Sequence, residues 1–287
     1  MYAERMKRQM GNEIFQREWN WIEQLSAAFH IFAANIKSVL KVMLIVFLPI
    51  SILETVISGR MWNAYTVFQH FCQQLAATGL TASNEAAFLQ SVYQVLLHSG
   101  LLFMVALFLQ PVGTITIAKV VKQFLAQGEI SFGTALGEAF SLMPTIVGTG
   151  VIYGVLIFFS GLVIVPYFYF SVAWGLYLYA IGLSGQKGRN ALRYSKGLVK
   201  GKWWRTLGYA FLLGIIAMLW NSAFQLVYSL LPNTGVSDVV YQFLCYFSAA
   251  FVVVGQTLLF LNREAVTYGA PAAERKENEE KEEKEEE

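Results

Sequence analysis

Six long apolar stretches separated by polar connections dominate the pattern of hydrophobic and polar positions along the chain. Most are about 20 residues long or longer, the length of helix that crosses the hydrocarbon core of a bilayer. Backbone groups have no water to bind in that core, and no alternating strand pattern is visible, so the stretches predict helices. The predicted spans are 38–57, 93–118, 146–165, 167–183, 204–230 and 239–261.

The third and fourth spans lie in one apolar run that is too long for a single crossing. Gly161 and Pro166 provide the break, because proline cannot continue a regular helix and glycine favours a turn. Six spans place both termini on the same side of a membrane.

Three short amphipathic segments precede the odd-numbered spans, and they begin near Ser26, Thr134 and Asn190. They predict either three repeated units, each an interfacial helix and a two-span hairpin, or simply helices that lead into spans. The predicted fold is therefore an all-α, polytopic membrane helical bundle of six transmembrane helices with three cytoplasmic interfacial amphipathic helices.

Composition supports this class, since 56% of the residues are hydrophobic and only 14% are charged. An ordinary soluble domain carries roughly 25% charged residues, so a soluble globular protein is excluded. The predicted parts are a cytoplasmic N-terminal segment (1–23), a six-span transmembrane domain (24–270) and a disordered acidic Lys/Glu tail (271–287). The tail holds nine Glu, three Lys and one Arg.

The basic residues orient the chain. Lysines and arginines collect on the cytoplasmic side of membrane proteins, and of the 21 here only Arg60 falls opposite the two termini. We therefore expect a multi-pass protein of the bacterial cytoplasmic (inner) membrane with both termini in the cytoplasm.

The third amphipathic segment separates apolar from basic positions most sharply. At 100° per residue, one arc of the helix carries apolar or small residues; these are Ala191, Leu192, Ser195, Leu198, Val199 and Trp203. Basic side chains occupy the opposite arc and the residues that follow, and they are the predicted contacts to anionic lipid: Arg189, Arg193, Lys196, Lys200, Lys202 and Arg205. The alternative is that these charges only hold the loop inside, and a nucleic-acid partner is not expected.

Two stretches resemble a known bacterial family. One runs from Pro111 through Gly113, Lys119 and Gly128-Glu129 to Ala135-Leu136, and the other runs from Ala191 to Arg205. Together they are similar to the membrane domain of some glycerophosphodiester phosphodiesterases and to related standalone six-span membrane proteins. The resemblance implies a membrane domain that is not the catalytic part. The family's acidic residue after the fourth span is replaced here by Gly182-Leu183-Ser184-Gly185.

The residues offer no catalytic or metal chemistry. Only three histidines occur (His30, His70 and His98), and none has the spacing of a metal-binding motif. Ser184 lies in a Gly-x-Ser-Gly sequence like that of rhomboid proteases, but the sixth span lacks the histidine base that this chemistry requires. We predict no enzyme activity, no catalytic residue, no metal site and no cofactor.

Polar residues inside the predicted spans are candidate functional positions; these are Glu54, Gln110, Asn221, Gln225 and Gln256. Glu54, near the outer end of the first span, either reaches to the surface or marks a site. The amides predict interhelical hydrogen bonds or, alternatively, a polar path for a substrate. Outside the spans, residues 59–92 predict an amphipathic helix on the outer membrane face or capping the bundle. Whether Cys72 pairs with Cys245 stays open.

These observations predict a non-enzymatic integral membrane protein of the bacterial envelope that either associates with membrane phospholipids or assists a membrane-protein partner. The alternative is a transporter or channel for a small or lipid-like molecule.

Overall fold

The computed structural model describes Ile14 and residues 16–79, 82–126, 132–232 and 234–269, and within these ranges the chain is all-α, without strands. The helices are α1 (Trp21–Ala34), α2 (Ile36–Val42), α3 (Leu48–Thr78), α4 (Ala82–Met104), α5 (Gln110–Leu125), α6 (Phe132–Ser141), α7 (Met143–Ser160), α8 (Ile164–Trp174), α9 (Tyr177–Ser184), α10 (Arg189–Val199), α11 (Trp203–Tyr228) and α12 (Gly235–Tyr268). The predicted acidic tail (271–287) lies outside the described residues, as do residues 1–13 of the predicted N-terminal segment.

Six helical stretches in the described part are long and apolar enough to cross a membrane, as predicted. They are Ile36–Ala77, Glu85–Leu125, Met143–Ser160, Ile164–Ser184, Trp203–Tyr228 and Gly235–Tyr268. The break predicted in the longest apolar run is confirmed, because α7 ends at Ser160 and α8 begins at Ile164.

The first two stretches each contain a π-helical turn directly before a proline. Met43–Phe47 precedes Leu48-Pro49, and Val105–Leu109 precedes Gln110-Pro111. Proline lacks a backbone N–H and its ring crowds the carbonyl four residues earlier, so a wider turn relieves the clash without ending the helix.

The first two stretches are also much longer than a membrane crossing, at 42 and 41 residues. A rise of 1.5 Å per residue makes each about 60 Å long, about twice the hydrocarbon thickness. Their extensions, α3 and α4, pack against each other, with the rings of Phe68 and Phe88 5.8 Å apart. Residues 59–78 are helical, as predicted, but they continue the helix of the first stretch beyond its predicted end at residue 57. No proline interrupts α3 after Pro49, and the helix continues to Gly79, which ends it with a φ of 73°.

Helix α12 forms the centre of the bundle, where it contacts α1, α3, α5, α10 and α11. Its inward face buries large apolar residues such as Phe251, Val254 and Leu258. Helix α11 lies at the periphery, and its outer face exposes Phe211 and Met218. The three predicted amphipathic segments form α1, α6 and α10, each followed by an apolar helix. Helix α1 begins earlier than predicted because Asn20 and Glu23 form a capping box.

Candidate functional site

Helix α10 rests its apolar face on the protein itself. The side chains predicted to share one arc are buried, with the exception of the half-buried Trp203: Ala191, Leu192, Ser195, Leu198 and Val199. The Ser195 hydroxyl donates to the carbonyl of Ala173 at 2.9 Å and accepts from the N–H of Leu176 at 3.2 Å. These two backbone groups lie at the break between α8 and α9, so Ser195 satisfies them and fixes α10 against that break.

The opposite face of α10 points away from the bundle. It carries four exposed basic side chains, for which the described residues offer no hydrogen bond or ion pair. We call these the basic face of α10: Arg189, Arg193, Lys196 and Lys200. The predicted division of this helix into an apolar and a basic side is therefore present, while contact with lipid stays a prediction.

The last two predicted lipid contacts have a different environment. Lys202 and Arg205 each lie 2.8 Å from the carboxylate of Glu18, and Arg263 also donates to that carboxylate. We call these four residues the Glu18 cluster. The side chain of Arg263 is only 1% exposed, and its Nε has no partner among the described residues. Sequence reasoning missed Glu18 and Arg263, although a basic residue at the end of the last span was a signal for the latter.

The electrostatics of the cluster favour an ionised Glu18. Partial burial raises the pKa of its carboxyl group, but the hydrogen bond from Lys202 and the charges of Arg263, Lys202 and Arg205 outweigh it. The pKa of Glu18 therefore lies below its ordinary value of 4.5. A separate pair joins Arg17 to Glu23 at 2.9 Å.

A short segment before α1 is tied to α11 and α12 near this cluster. The Asn262 amide donates to the carbonyls of Ile14 (2.8 Å) and Arg17 (2.7 Å), and its oxygen accepts from the N–H of Trp19 at 3.1 Å. Arg205 donates to the carbonyl of Trp19 at 2.9 Å. These bonds hold Glu18 in front of the three basic side chains.

Ser184, the serine of the Gly-x-Ser-Gly sequence, contacts a carboxylate instead of a histidine. Its hydroxyl donates to the carboxylate of Glu264, which also accepts from the Tyr194 hydroxyl at 2.5 Å. Burial raises the pKa of Tyr194, and the bond to Glu264 raises it further, so the phenol stays a donor. This arrangement links α9, α10 and α12.

A second polar cluster lies in the interior of the bundle. Glu54 is 6% exposed, and its carboxyl oxygens accept from the Gln110 amide (2.9 Å), the Gln242 amide (2.8 Å) and the Tyr246 hydroxyl (2.7 Å). The Gln110 amide also donates to the Tyr246 oxygen at 2.8 Å. We call this the Glu54 cluster. The interpretation of Glu54 as a side chain that reaches to the surface is therefore wrong, because three donors hold it inside.

The remaining predicted amides do not join this cluster. Asn221 accepts from the Ser248 hydroxyl at 2.6 Å, on the side of α12 that faces α11. Ser248 and Tyr246 are two residues apart and therefore point about 200° apart around the helix. Gln225 is exposed in an open groove of about 530 Å³ that Asn221 also lines, and Gln256 is half-buried. The predicted polar residues consequently occupy separate seams and do not line one path.

The described residues contain no group of three or more His, Cys, Asp and Glu side chains that could hold a metal ion. Cys72 is exposed and Cys245 is half-buried, and both are free thiols, which answers the question of their pairing.

Comparison with known proteins gives one match. The family described as "Domain of unknown function (DUF7847)" matches residues 105–268, which is more than half of the chain. No curated protein and no solved structure matches the chain. The match does not test the resemblance to the membrane domain of glycerophosphodiester phosphodiesterases, which stays a prediction.

Proposed function

Because the chain belongs to the family described as a domain of unknown function (DUF7847), family membership assigns no activity, and we propose a function from its own residues. The protein is a non-enzymatic, multi-pass component of the bacterial cytoplasmic membrane, and the basic face of α10 binds anionic phospholipid headgroups. In this proposal both termini are cytoplasmic, and α1, α6 and α10 lie at the cytoplasmic membrane surface.

The observation that carries the proposal is the division of α10. Its apolar side is used up by packing on the bundle, whereas four basic side chains within 12 residues have no partner among the described residues. A basic residue near an anionic membrane surface contributes about 1 kcal/mol, so the four together supply about 4 kcal/mol, or roughly a thousandfold in affinity. The exposed Trp204, just beyond α10, is a residue type enriched at the headgroup level.

The polar groups inside the bundle support a non-enzymatic role. Ser184 donates to Glu264, so it faces an acceptor that is itself bonded to a phenol, and no imidazole is bonded to it within the described part. The Glu54 cluster uses its donors to join α3, α5 and α12. The separation of this cluster from Asn221 and Gln225 favours packing roles for these amides over a transport path.

Lipid retention in native mass spectrometry tests the headgroup contact. We expect the double substitution Arg193→Gln/Lys196→Gln to lower retention of phosphatidylglycerol by about tenfold or more, since two surface charges are removed. The matched control is Lys37→Gln/Lys41→Gln, which removes two exposed basic residues from the start of the first apolar stretch. It should lower retention less than about threefold. Equal losses in both variants would show that the basic face of α10 binds the headgroup no better than other surface charges, and unchanged retention in both would show that the charges act only in topology. Either result would refute the proposal.

Cysteine labelling tests the orientation separately. In cells whose outer envelope is permeabilised and whose inner membrane is sealed, a membrane-impermeant maleimide should label the exposed native Cys72. In a chain with Cys72→Ser and Cys245→Ala, Lys196→Cys should react only after the inner membrane is permeabilised. The reverse pattern would place α10 outside and contradict the proposed topology.

A further inference from the structure

Positive charge exceeds negative charge in the Glu18 cluster. Three cationic side chains, Lys202, Arg205 and Arg263, converge on one carboxylate. The nearby Glu23 is already bonded twice by Arg17 and accepts from the backbone of Asn20. Among the described residues, the cluster therefore retains an excess of two positive charges.

The cluster also has unused hydrogen-bond donors. Lys202 has three N–H donors and gives one to Glu18, and the Arg263 Nε is buried without a partner in the described part of the chain. The side chains of Lys202 and Arg205 are 31% and 37% exposed, so a ligand can reach them while Arg263 stays behind Glu18. The matched family region, 105–268, contains all three cations but not Glu18.

An open groove leads to this place. It has a volume of about 340 Å³ and is lined by Asn20, Trp21, Ile22 and Arg205. The groove thus combines the basic Arg205 with the exposed apolar side chain of Ile22. The groove also borders the N-terminus of α1, where the first backbone N–H groups of a helix favour an anion. A lipid would fit this combination, with its headgroup at Arg205 and its acyl chain against Ile22.

We propose that Lys202 and Arg205 bind a phosphomonoester, which enters by this groove and sits beside Glu18, and that the buried Arg263 adds positive charge from behind. A phosphomonoester carries a charge of about −1.5 to −2 near neutral pH and three acceptor oxygens, which matches the excess charge and the unused donors. The guanidinium of Arg205 has five N–H donors and gives one to Glu18 and one to the Trp19 carbonyl, so it retains donors for phosphate oxygens. The site does not depend on the proposed function; only a lipid as the source of the phosphomonoester rests on it.

Inorganic phosphate is the first probe, titrated by calorimetry into the full chain in mild detergent. Arg205→Gln and Lys202→Gln should each weaken binding by about tenfold or more, because each removes a charge-assisted hydrogen bond. Glu18→Gln should strengthen it, since a competing negative charge is lost. The control Arg60→Gln, an exposed residue predicted at the opposite end, should change nothing. Thermal unfolding shows whether each variant is folded. If Arg205→Gln is not, the conclusion rests on Lys202→Gln.

The second probe distinguishes the sources of the phosphate group. Nanodiscs that contain phosphatidic acid, a lipid phosphomonoester, are compared with nanodiscs that contain the phosphodiester phosphatidylglycerol. Preference for phosphatidic acid that Lys202→Gln abolishes identifies a lipid headgroup, whereas binding of inorganic phosphate without this preference identifies a soluble ligand. If neither inorganic phosphate nor phosphatidic acid binds, the proposed site is refuted. It is also refuted if Lys202→Gln and Arg205→Gln both bind as the wild type does. Failure of the Arg193→Gln/Lys196→Gln test leaves these outcomes untouched, so the two proposals can fail separately.

Discussion

Glu54 and Glu18 are two glutamates with opposite surroundings. Glu54 lies in the apolar interior and accepts from two amides and a phenol, all of them neutral. Glu18 lies at the end of the bundle where the basic residues collect, and three cations surround it. Gln110 of α5 and two residues of α12 bond Glu54, whereas the start of α11 and α12 supply the cations around Glu18, so both clusters join elements that are distant in sequence.

The difference follows from the cost of burying charge. Cations brought into the apolar interior would lose their hydration, and neutral donors satisfy the oxygens of Glu54 without that cost. At the end of the bundle, water reaches Lys202 and Arg205, so several charges can gather and even exceed their counter-ion. We infer that the Glu54 cluster fixes the packing of α3, α5 and α12, whereas the Glu18 cluster remains able to bind a further anion.

Removal of Glu54 should give the largest change. We expect Glu54→Ala to lower the free energy of unfolding by about 3 kcal/mol, because it leaves the buried Tyr246 hydroxyl and two half-buried amides without their acceptor. Glu54→Gln, which keeps the shape and one acceptor oxygen, should cost about 1 kcal/mol. Denaturant unfolding in mild detergent measures both. The exposed Glu85 provides the matched control, as Glu85→Ala should stay within about 0.5 kcal/mol; an equal cost at Glu54 and Glu85 would refute the packing role.

Crowding beside the Glu54 cluster should give an intermediate change. A Cβ on Gly113 would lie 2.3 Å from the Phe47 ring, which itself packs 4.8 Å from the Tyr246 ring. Gly113→Ala should therefore cost about 2 kcal/mol, and Phe47→Leu in the same chain should recover part of it. No atom lies within 4 Å of the corresponding position at Gly154. Gly154→Ala should thus be neutral or slightly stabilising, and a similar loss at both glycines would contradict the packing described for Phe47.

The smallest effect concerns pH and Glu18. The pKa of Glu18 is below its ordinary value of 4.5 in the folded protein, so its stabilising effect is present above that value and is lost as the pH falls through the folded pKa. The difference in thermal unfolding temperature between the wild type and Glu18→Gln should stay constant from about pH 7 to about pH 5 and shrink below about pH 4.5. Glu23 is common to both proteins, so its own titration cancels. A difference that grows on acidification would show that the cations do not stabilise the charged form.

The helices with a strong periodic or apolar signal were predictable. The two faces of α10 follow from its spacing of Leu and basic residues, and the break before Ile164 follows from Gly161 and Pro166. The continuation of α3 beyond Gly59 could not be predicted. Hydropathy marks where a span stops being apolar, and it contains no information on where the helix ends. Helix propensity and the lack of a proline after Pro49 carry α3 to Gly79.

The partners in the two clusters were harder to predict, because they depend on contacts between distant parts of the chain. Lys202 looked like one more lipid contact in a basic run, yet its acceptor, Glu18, is 184 residues away. Gln242 and Tyr246 lie one turn apart on α12, but nothing local to them points to Glu54. A pair of polar residues at i and i+4 in the last span was the one available signal.

The bonds of Asn262 to Ile14, Arg17 and Trp19 impose an order on biosynthesis. They join residues 243 to 248 positions apart, so residues 14–19 obtain their partner only when α12 has been made. At 5–20 residues per second, this interval is about 12–50 s. During that time Glu18 cannot meet Arg263. Closure of the segment before α1 is consequently a marker that α12 has been synthesised, and protection of that segment from a protease during synchronised translation would time it.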